Sequence, residues 1–200
     1  MIRFFQKVIL LAVFAALTWT GLALWTSPDP LYKLQSWLAL GRYSAYDALI
    51  SDAAEKRGLD PLLVKAMVWR ESAFDPTKTG TSGERGLMQV GEAAAQDWAK
   101  AEKIETFVKT DLFDAKTNLD VGTWYLKKAL DRWKAKETPL PFALAEYNAG
   151  RSRVDRWIEA TGRGEEATAD DLLRAMDFPS TRKYIGDITA RQSFYKSGGR

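Results

Sequence analysis

Apolar positions along this chain follow two regimes. Val8 to Trp25, VILLAVFAALTWTGLALW, is a run of 18 residues without a charge, preceded by Arg3 and Lys7 in MIRFFQK. At about 1.5 Å per helical residue it nearly crosses a hydrocarbon core of about 30 Å. The run has no polar face, so it does not read as a helix laid on a soluble core. SPDP, Ser27 to Pro30, then breaks it. An uncleaved anchor is favoured, because the apolar run continues to Trp25. A cleaved signal peptide is the other reading, with Gly21-Leu22-Ala23 supplying small residues for a cleavage site. Basic residues on the N-terminal side put that end in the cytoplasm and the rest of the chain on the exported side.

From Leu31 onward the pattern turns amphipathic and helical, with no sustained period-two alternation and no Val/Ile-rich strand run. Tyr43–Gly58 carries Ala45, Leu49 and Ala53 at helical spacing, with Gly58 as a stop. Asp60-Pro61 reads as an N-cap followed by a first-turn proline. Thr117–Trp133 places Leu119, Gly122, Leu126 and Leu130 near one face. Pro141–Gly150, RSRVDRWIEA, ADDLLRAM and TRKYIGDITARQSFY supply four more helices, and KSGGR reads as a flexible tail. The expectation is a membrane segment with a short linker over 1–30, one all-α domain over 31–196, and a tail over 197–200.

Composition narrows the chemistry. Hydrophobic content of 46% and charged content of 28% fit a globular protein. The net charge of +3 becomes +2 without residues 1–30, since 27 basic and 25 acidic groups remain. That is too mild for a nucleic-acid partner. There is no His and no Cys, which excludes Ser-His-Asp catalysis, thiolate nucleophiles and the common zinc sites. An enzyme of this composition moves protons through Glu, Asp, Lys or Tyr. Eight Trp serve either as core or as sugar-stacking walls.

One acid stands out. In AMVWRESAFDP, Glu71 falls on the same helical row as Leu63 and Met67, with Phe74 three residues later. It also lies in the last helical turn, where the dipole disfavours negative charge. Burial and dipole both raise its pKa, as a general acid requires. The plainer reading is a rim glutamate paired with an arginine. Asp75–Ala99 follows, with glycines at 80, 83, 86 and 91 and Gln89 beside an apolar pair. Such a loop is a surface turn or a place where backbone approaches a ligand. It is not a phosphate loop, because no Gly-Lys-Ser/Thr follows.

ESAFDP, GERGLMQV, NLDVGTWYL, AEYNAGRSRV and TRKYI, in this order, resemble the successive motifs of the soluble lytic transglycosylase catalytic domain, which is similar in fold to goose-type lysozyme. The resemblance spans about Tyr43 to Tyr195. It implies an all-α, two-lobed lysozyme-like domain with a groove for the peptidoglycan glycan strand. By the same resemblance Glu71 is the single catalytic acid/base. Met88 and Gln89 in GLMQ, Tyr147 and Asn148 in EYNAG, and Tyr184 in TRKY are substrate-binding. Glu71 would protonate the oxygen between N-acetylmuramic acid and N-acetylglucosamine, then take the proton of the C6 hydroxyl as it closes on C1, leaving a 1,6-anhydromuramyl end. No metal or cofactor is implied. The partners implied are peptidoglycan strands, the membrane through the N-terminal helix, and cell-wall or secretion machinery, but no nucleic acid. The location implied is the inner membrane, single-pass, with the domain on the periplasmic side.

Three positions depart from the family pattern: Ser180 where a Glu commonly precedes TR, Gly91-Glu92 where Met-Pro often follows GLMQ, and Gly80 where a serine is often found. Ser180 is read either as a groove residue, with Tyr184 stacking or Arg182 partly replacing the lost charge, or as a helix cap. Glu84, Glu92 and Glu146 lie in the matched motifs, and none is singled out as a second carboxylate. A hydrolytic muramidase on the same fold is the enzyme alternative, and a glycan-binding scaffold the non-enzyme one.

Overall fold

The computed structural model describes residues 2–26, 30–38 and 41–199. The first helix, α1, is Ile2–Trp25. Its stretch Phe5–Trp25 has a mean hydropathy of 2.1, and Leu10, Phe14, Leu17 and Trp19 are all exposed. Thr18 donates its hydroxyl to the Phe14 carbonyl at 3.0 Å, an internal bond that suits a setting without water. A second helix, α2, is Pro30–Leu38. Of the expected SPDP break, Ser27 to Asp29 lie outside the described residues.

The remaining helices are α3 (Asp47–Lys56), α4 (Pro61–Ser72), α5 (Glu92–Ala101), α6 (Ala115–Arg132), α7 (Pro139–Ala149), α8 (Arg151–Ala160), α9 (Ala169–Ala175) and α10 (Pro179–Lys196). Two of them are apolar on nearly every side and therefore central. In α4, Leu63, Val64, Ala66, Met67 and Val68 are buried; in α7, Phe142 through Ala145 are buried without a break. α10 packs against both, α3 covers α4, and α6 and α8 cover α7. The last turn of α4, the end of α7 and the first half of α10 thereby meet.

Local chemistry sets the starts. The Asp60 carboxylate accepts from Leu62 N at 2.9 Å, with Pro61 at the first helical position. Its other oxygen accepts from Gln192 Nε2 at 2.8 Å and pairs with Lys196 at 3.0 Å, so the cap of α4 also holds the far end of α10. Asp114 caps α6 through Thr117 N at 2.8 Å.

Two expectations change. Residues 75–99 are not one loop, because α5 occupies the last part and buries Ala95, Trp98 and Ala99. Those three stand at i, i+3 and i+4 on one helical face, and the alanine-rich sequence favours helix. Residues 43–46 are a turn, and the helix expected there begins at Asp47. At the C-terminal end Gly198 N and Gly199 N donate to the carbonyls of Tyr195 and Phe194 at 3.1 and 3.0 Å. Among the described residues there are no strands, only isolated bridges from Arg85 to Thr79 and to Val90.

Candidate active site

Glu71 ends up at the close of α4 because the helix stops abruptly behind it. Ala73 and Phe74 are both left-handed, at φ 51° and 62°. Neither is glycine, so each carries a backbone cost. Full burial of Phe74 against Tyr43, with ring centroids 5.0 Å apart, offsets it. The turn sends the chain into the glycine loop and leaves Glu71 on the inner side, partly buried.

The carboxyl is pushed up to about 7, first by burial. The Tyr184 hydroxyl, Arg70 and Lys78 pull it down, and the charge of Glu84 pushes it up. Tyr184, on α10, donates to Glu71 Oε1 at 2.6 Å across 113 positions of sequence. Tyr147, on α7, donates to the Met88 carbonyl at 3.0 Å, and Tyr125 meets its ring edge-on at 5.5 Å. Burial, and then the negative charge of Glu71, lift both Tyr147 and Tyr184 well above the ordinary phenol value. Both phenols are therefore hydrogen-bond donors at neutral pH, not bases.

The loop is tied together by Asn118, fully buried on α6. Its Oδ1 accepts from Met88 N at 2.7 Å, and its Nδ2 donates to the carbonyls of Arg85 and Leu112 at 2.7 and 2.8 Å. Gly86 has φ 77°, and a Cβ there would collide with the Asn118 amide and the Leu112 carbonyl. Gln89, left-handed at φ 46°, donates Nε2 to the carbonyls of Lys78 and Gly86, both at 3.0 Å. Lys78 in turn donates its ammonium to the Glu71 carbonyl. The loop thus closes on the residue that carries the acid.

Of the residues expected in a site, Glu71, Tyr147 and Tyr184 are brought together. Asn148 is exposed beside the start of α10, its Oδ1 accepting from Thr181 Oγ1 at 2.8 Å. Gln89 turns its amide nitrogen onto the loop carbonyls, and its Oε1 lies against Gly80. Met88 is a correction. Its side chain is 0% exposed and fills the space that Gly122 leaves, so only its carbonyl, bonded to Tyr147, serves the site. Tyr184 is 1% exposed, which rules out stacking on a sugar, and its hydroxyl is bonded to Glu71. Ser180 is exposed and caps nothing, because Phe178 is the N-cap of α10 and Pro179 its first residue.

The three other acids separate by environment. Glu146, 2% exposed, pairs with Arg132 and accepts from Trp133 Nε1 at 2.8 Å, so it holds α6 to α7. Glu92 is exposed in the first turn of α5. Glu84 alone acts on Glu71. Its carboxylate occupies the place of a Gly80 side chain and accepts from Ser82 N at 3.1 Å. Any larger residue at 80 would displace it.

Sequence reasoning missed Arg70, Lys78 and Asn118. For Asn118 a signal exists: it lies on one helical row with Gly122 and Leu126, a polar residue on a buried stripe. Among the described residues no three acids converge as a metal site would need. A cavity of about 210 Å³ lined by Lys136, Phe142, Glu165 and Thr168 lies apart from these groups.

A family model described as Transglycosylase SLT domain matches residues 48–169, which takes in Glu71, Met88, Gln89, Tyr147 and Asn148 and stops short of Tyr184. The chain is 34% identical over 153 residues to a membrane-bound lytic murein transglycosylase F of Desulfosudis oleivorans, covering 74% of this chain and 32% of that protein. It is 28% identical over 170 residues to a membrane-bound lytic murein transglycosylase C of Shigella sonnei, covering 78% and 47%. The solved 70 kDa soluble lytic transglycosylase of Escherichia coli shares the fold with a TM-score of 0.68 and 25% identity, over 90% of this chain and 29% of that one. The chain therefore spans less than half the length of each. The expected all-α, lysozyme-like fold is the one found. With more than half of its residues inside the family model, the chain belongs to the SLT transglycosylase domain family.

Proposed function

We propose that this chain is a membrane-anchored lytic transglycosylase that cuts the β-1,4 bond between N-acetylmuramic acid and N-acetylglucosamine of peptidoglycan without consuming water. The observation that carries the reading is the Glu71 carboxyl, lifted to about 7 by burial. About half of such groups hold a proton at neutral pH, the poise suited to one residue acting as acid and then as base.

Tyr184 occupies Oε1 of Glu71, so the transferable proton sits on Oε2. Glu71 gives that proton to the glycosidic oxygen as the C1–O bond breaks, and the N-acetylglucosamine alcohol leaves. The muramyl N-acetyl group stabilises the charge at C1. The Glu71 carboxylate then takes the proton of the muramyl C6 hydroxyl while O6 bonds to C1, and the acid is restored. Ring closure outcompetes water because the hydroxyl is already in place, at a high effective concentration. Asn148 and Gln89 are read as residues that bind the strand.

The test is digestion of purified sacculi by the full chain in detergent, with product masses measured. Anhydro-muramyl ends are expected. Hydrated reducing ends would replace the reading with a muramidase, and no cleavage would leave a glycan-binding scaffold. Glu71→Gln is expected to lose at least ~10²-fold in turnover.

Residues 1–30 are read as a single-pass anchor with a linker, 31–196 as the catalytic domain on the periplasmic side of the inner membrane, and 197–200 as a tail. The apolar helix near the N-terminus and the membrane-bound relatives support this. Resistance to carbonate extraction is expected; a mature N-terminus at Leu24 would make the segment a signal peptide.

A further inference from the structure

The hydroxyl that holds Glu71 belongs to a ring that is itself held. Arg70 sits next to Glu71 in sequence, and its guanidinium lies 5.5 Å from the centroid of the Tyr184 ring, within cation–π range. Arg70 Nε donates to Asp187 Oδ2 at 2.9 Å. Asp187 is on α10, three residues after Tyr184, and so on the same face of that helix. Lys183 adds bonds of 2.7 and 2.8 Å to the two Asp187 oxygens. The side chains of Arg70 and Asp187 are only 33% and 23% exposed, so the pair is better insulated than a surface ion pair.

We propose that Asp187 is a positioning residue for the reaction: by fixing Arg70 over the Tyr184 ring, it keeps the Tyr184 hydroxyl on Glu71 and a positive charge beside that carboxyl. This rests on the reading of Glu71 as the acid/base. The competing role is a bolt between α4 and α10. That bolt already exists at the other end of the pair, where Asp60 binds Gln192 and Lys196. The buried contacts of Val64, Met67, Ile185 and Ile188 add to it.

The charged and titratable groups that face Glu71 are Arg70 on its own helix, Tyr184 on α10, Tyr147 on α7, and Lys78 and Glu84 on the loop. Arg70 and the Tyr184 hydroxyl both favour the ionised carboxyl. Once Asp187 no longer restrains them, that support weakens and Glu71 keeps its proton to higher pH. The first step needs the protonated acid, so the alkaline limb of the kcat/KM profile moves up.

The experiment measures pH–rate profiles of sacculus cleavage for the full chain and for Asp187→Asn, Asp187→Glu, Arg70→Ala and the Asp187→Asn/Arg70→Ala pair. For Asp187→Asn the expected result is an alkaline limb raised by about half a pH unit, on the scale of one partly solvated charge or hydrogen bond. kcat should fall about 3- to 10-fold with KM within twofold, a small part of the ~10²–10⁴-fold that general acid–base catalysis supplies in full. Asp187→Glu should restore both readouts, because its carboxylate still reaches Arg70. The double variant should shift no further than Arg70→Ala alone. An unmoved limb with a lowered melting temperature would reduce Asp187 to a bolt, and a downward shift would overturn the sign of the argument. Products with hydrated ends would sink the transglycosylase reading and leave these profiles interpretable. If the wild-type chain cuts nothing, the carbon NMR titration of the Glu71 carboxyl reads the same shift, and its absence in Asp187→Asn overturns the proposal.

Discussion

Glu71 should make the folded protein less stable at the pH where it works. Its carboxyl has an ordinary value of 4.5 and is pushed up to about 7 in the fold. Between those values the folded state holds a proton that the unfolded chain has released, so stability falls as pH rises through the interval and levels off above it. At about 1.4 kcal/mol per pH unit, the penalty above pH 7 is about 3 kcal/mol. That is an upper figure, because one edge of the group meets solvent. Glu71→Gln keeps the shape, keeps an acceptor for the Tyr184 hydroxyl and removes the charge. The variant should match wild type in melting temperature near pH 4.5 and exceed it by about 5–10 °C at pH 8, taking about 2–4 °C per kcal/mol for a domain of this size. The assay is thermal unfolding of the full chain in detergent, followed by near-UV circular dichroism at several pH values, on variants assayed in parallel for cleavage. The two curves should diverge with pH while the variant is inactive. A pH-independent difference, or a variant less stable at pH 8, would refute the claim that Glu71 is held half-protonated by burial.

Two further outcomes are expected. Asn118→Ala removes three hydrogen bonds, two buried and the one to Arg85 part-buried, and leaves Met88 N, Arg85 O and Leu112 O without their partner. At about 1–3 kcal/mol per stranded group the melting temperature should drop by about 10 °C or the domain should fail to fold; a drop of only a degree or two would mean that the loop is held by other contacts. Glu84→Gln removes the negative charge that pushes Glu71 up, so the alkaline limb should move down by a few tenths of a pH unit, opposite to Asp187→Asn; an upward shift would place Glu84 elsewhere than beside Glu71.

Local rules were enough for much of this protein. The Val8–Trp25 run, the Asp60-Pro61 start of α4 and the row of Leu63, Met67 and Glu71 are all written in short-range pattern. Periodicity, capping and the absence of His and Cys depend on residues within one or two turns, or on none. Helix α5 escaped because its face is built of Ala95, Trp98 and Ala99, only one of them large, just after a run of glycines. What only the tertiary structure decided are matters of direction and of distant partners. Neighbours in GLMQ point apart: Met88 goes into the gap at Gly122, while Gln89 bends onto its own loop. Glu146 and Glu84 are both motif acids, yet one is neutralised by Arg132 and the other acts on Glu71. Tyr184 reads in sequence as an aromatic available to a sugar, and the packing of α10 buries it with its hydroxyl on Glu71. Each outcome depends on which helix covers which, a contact made across dozens of residues, and a side chain's local sequence holds no record of that.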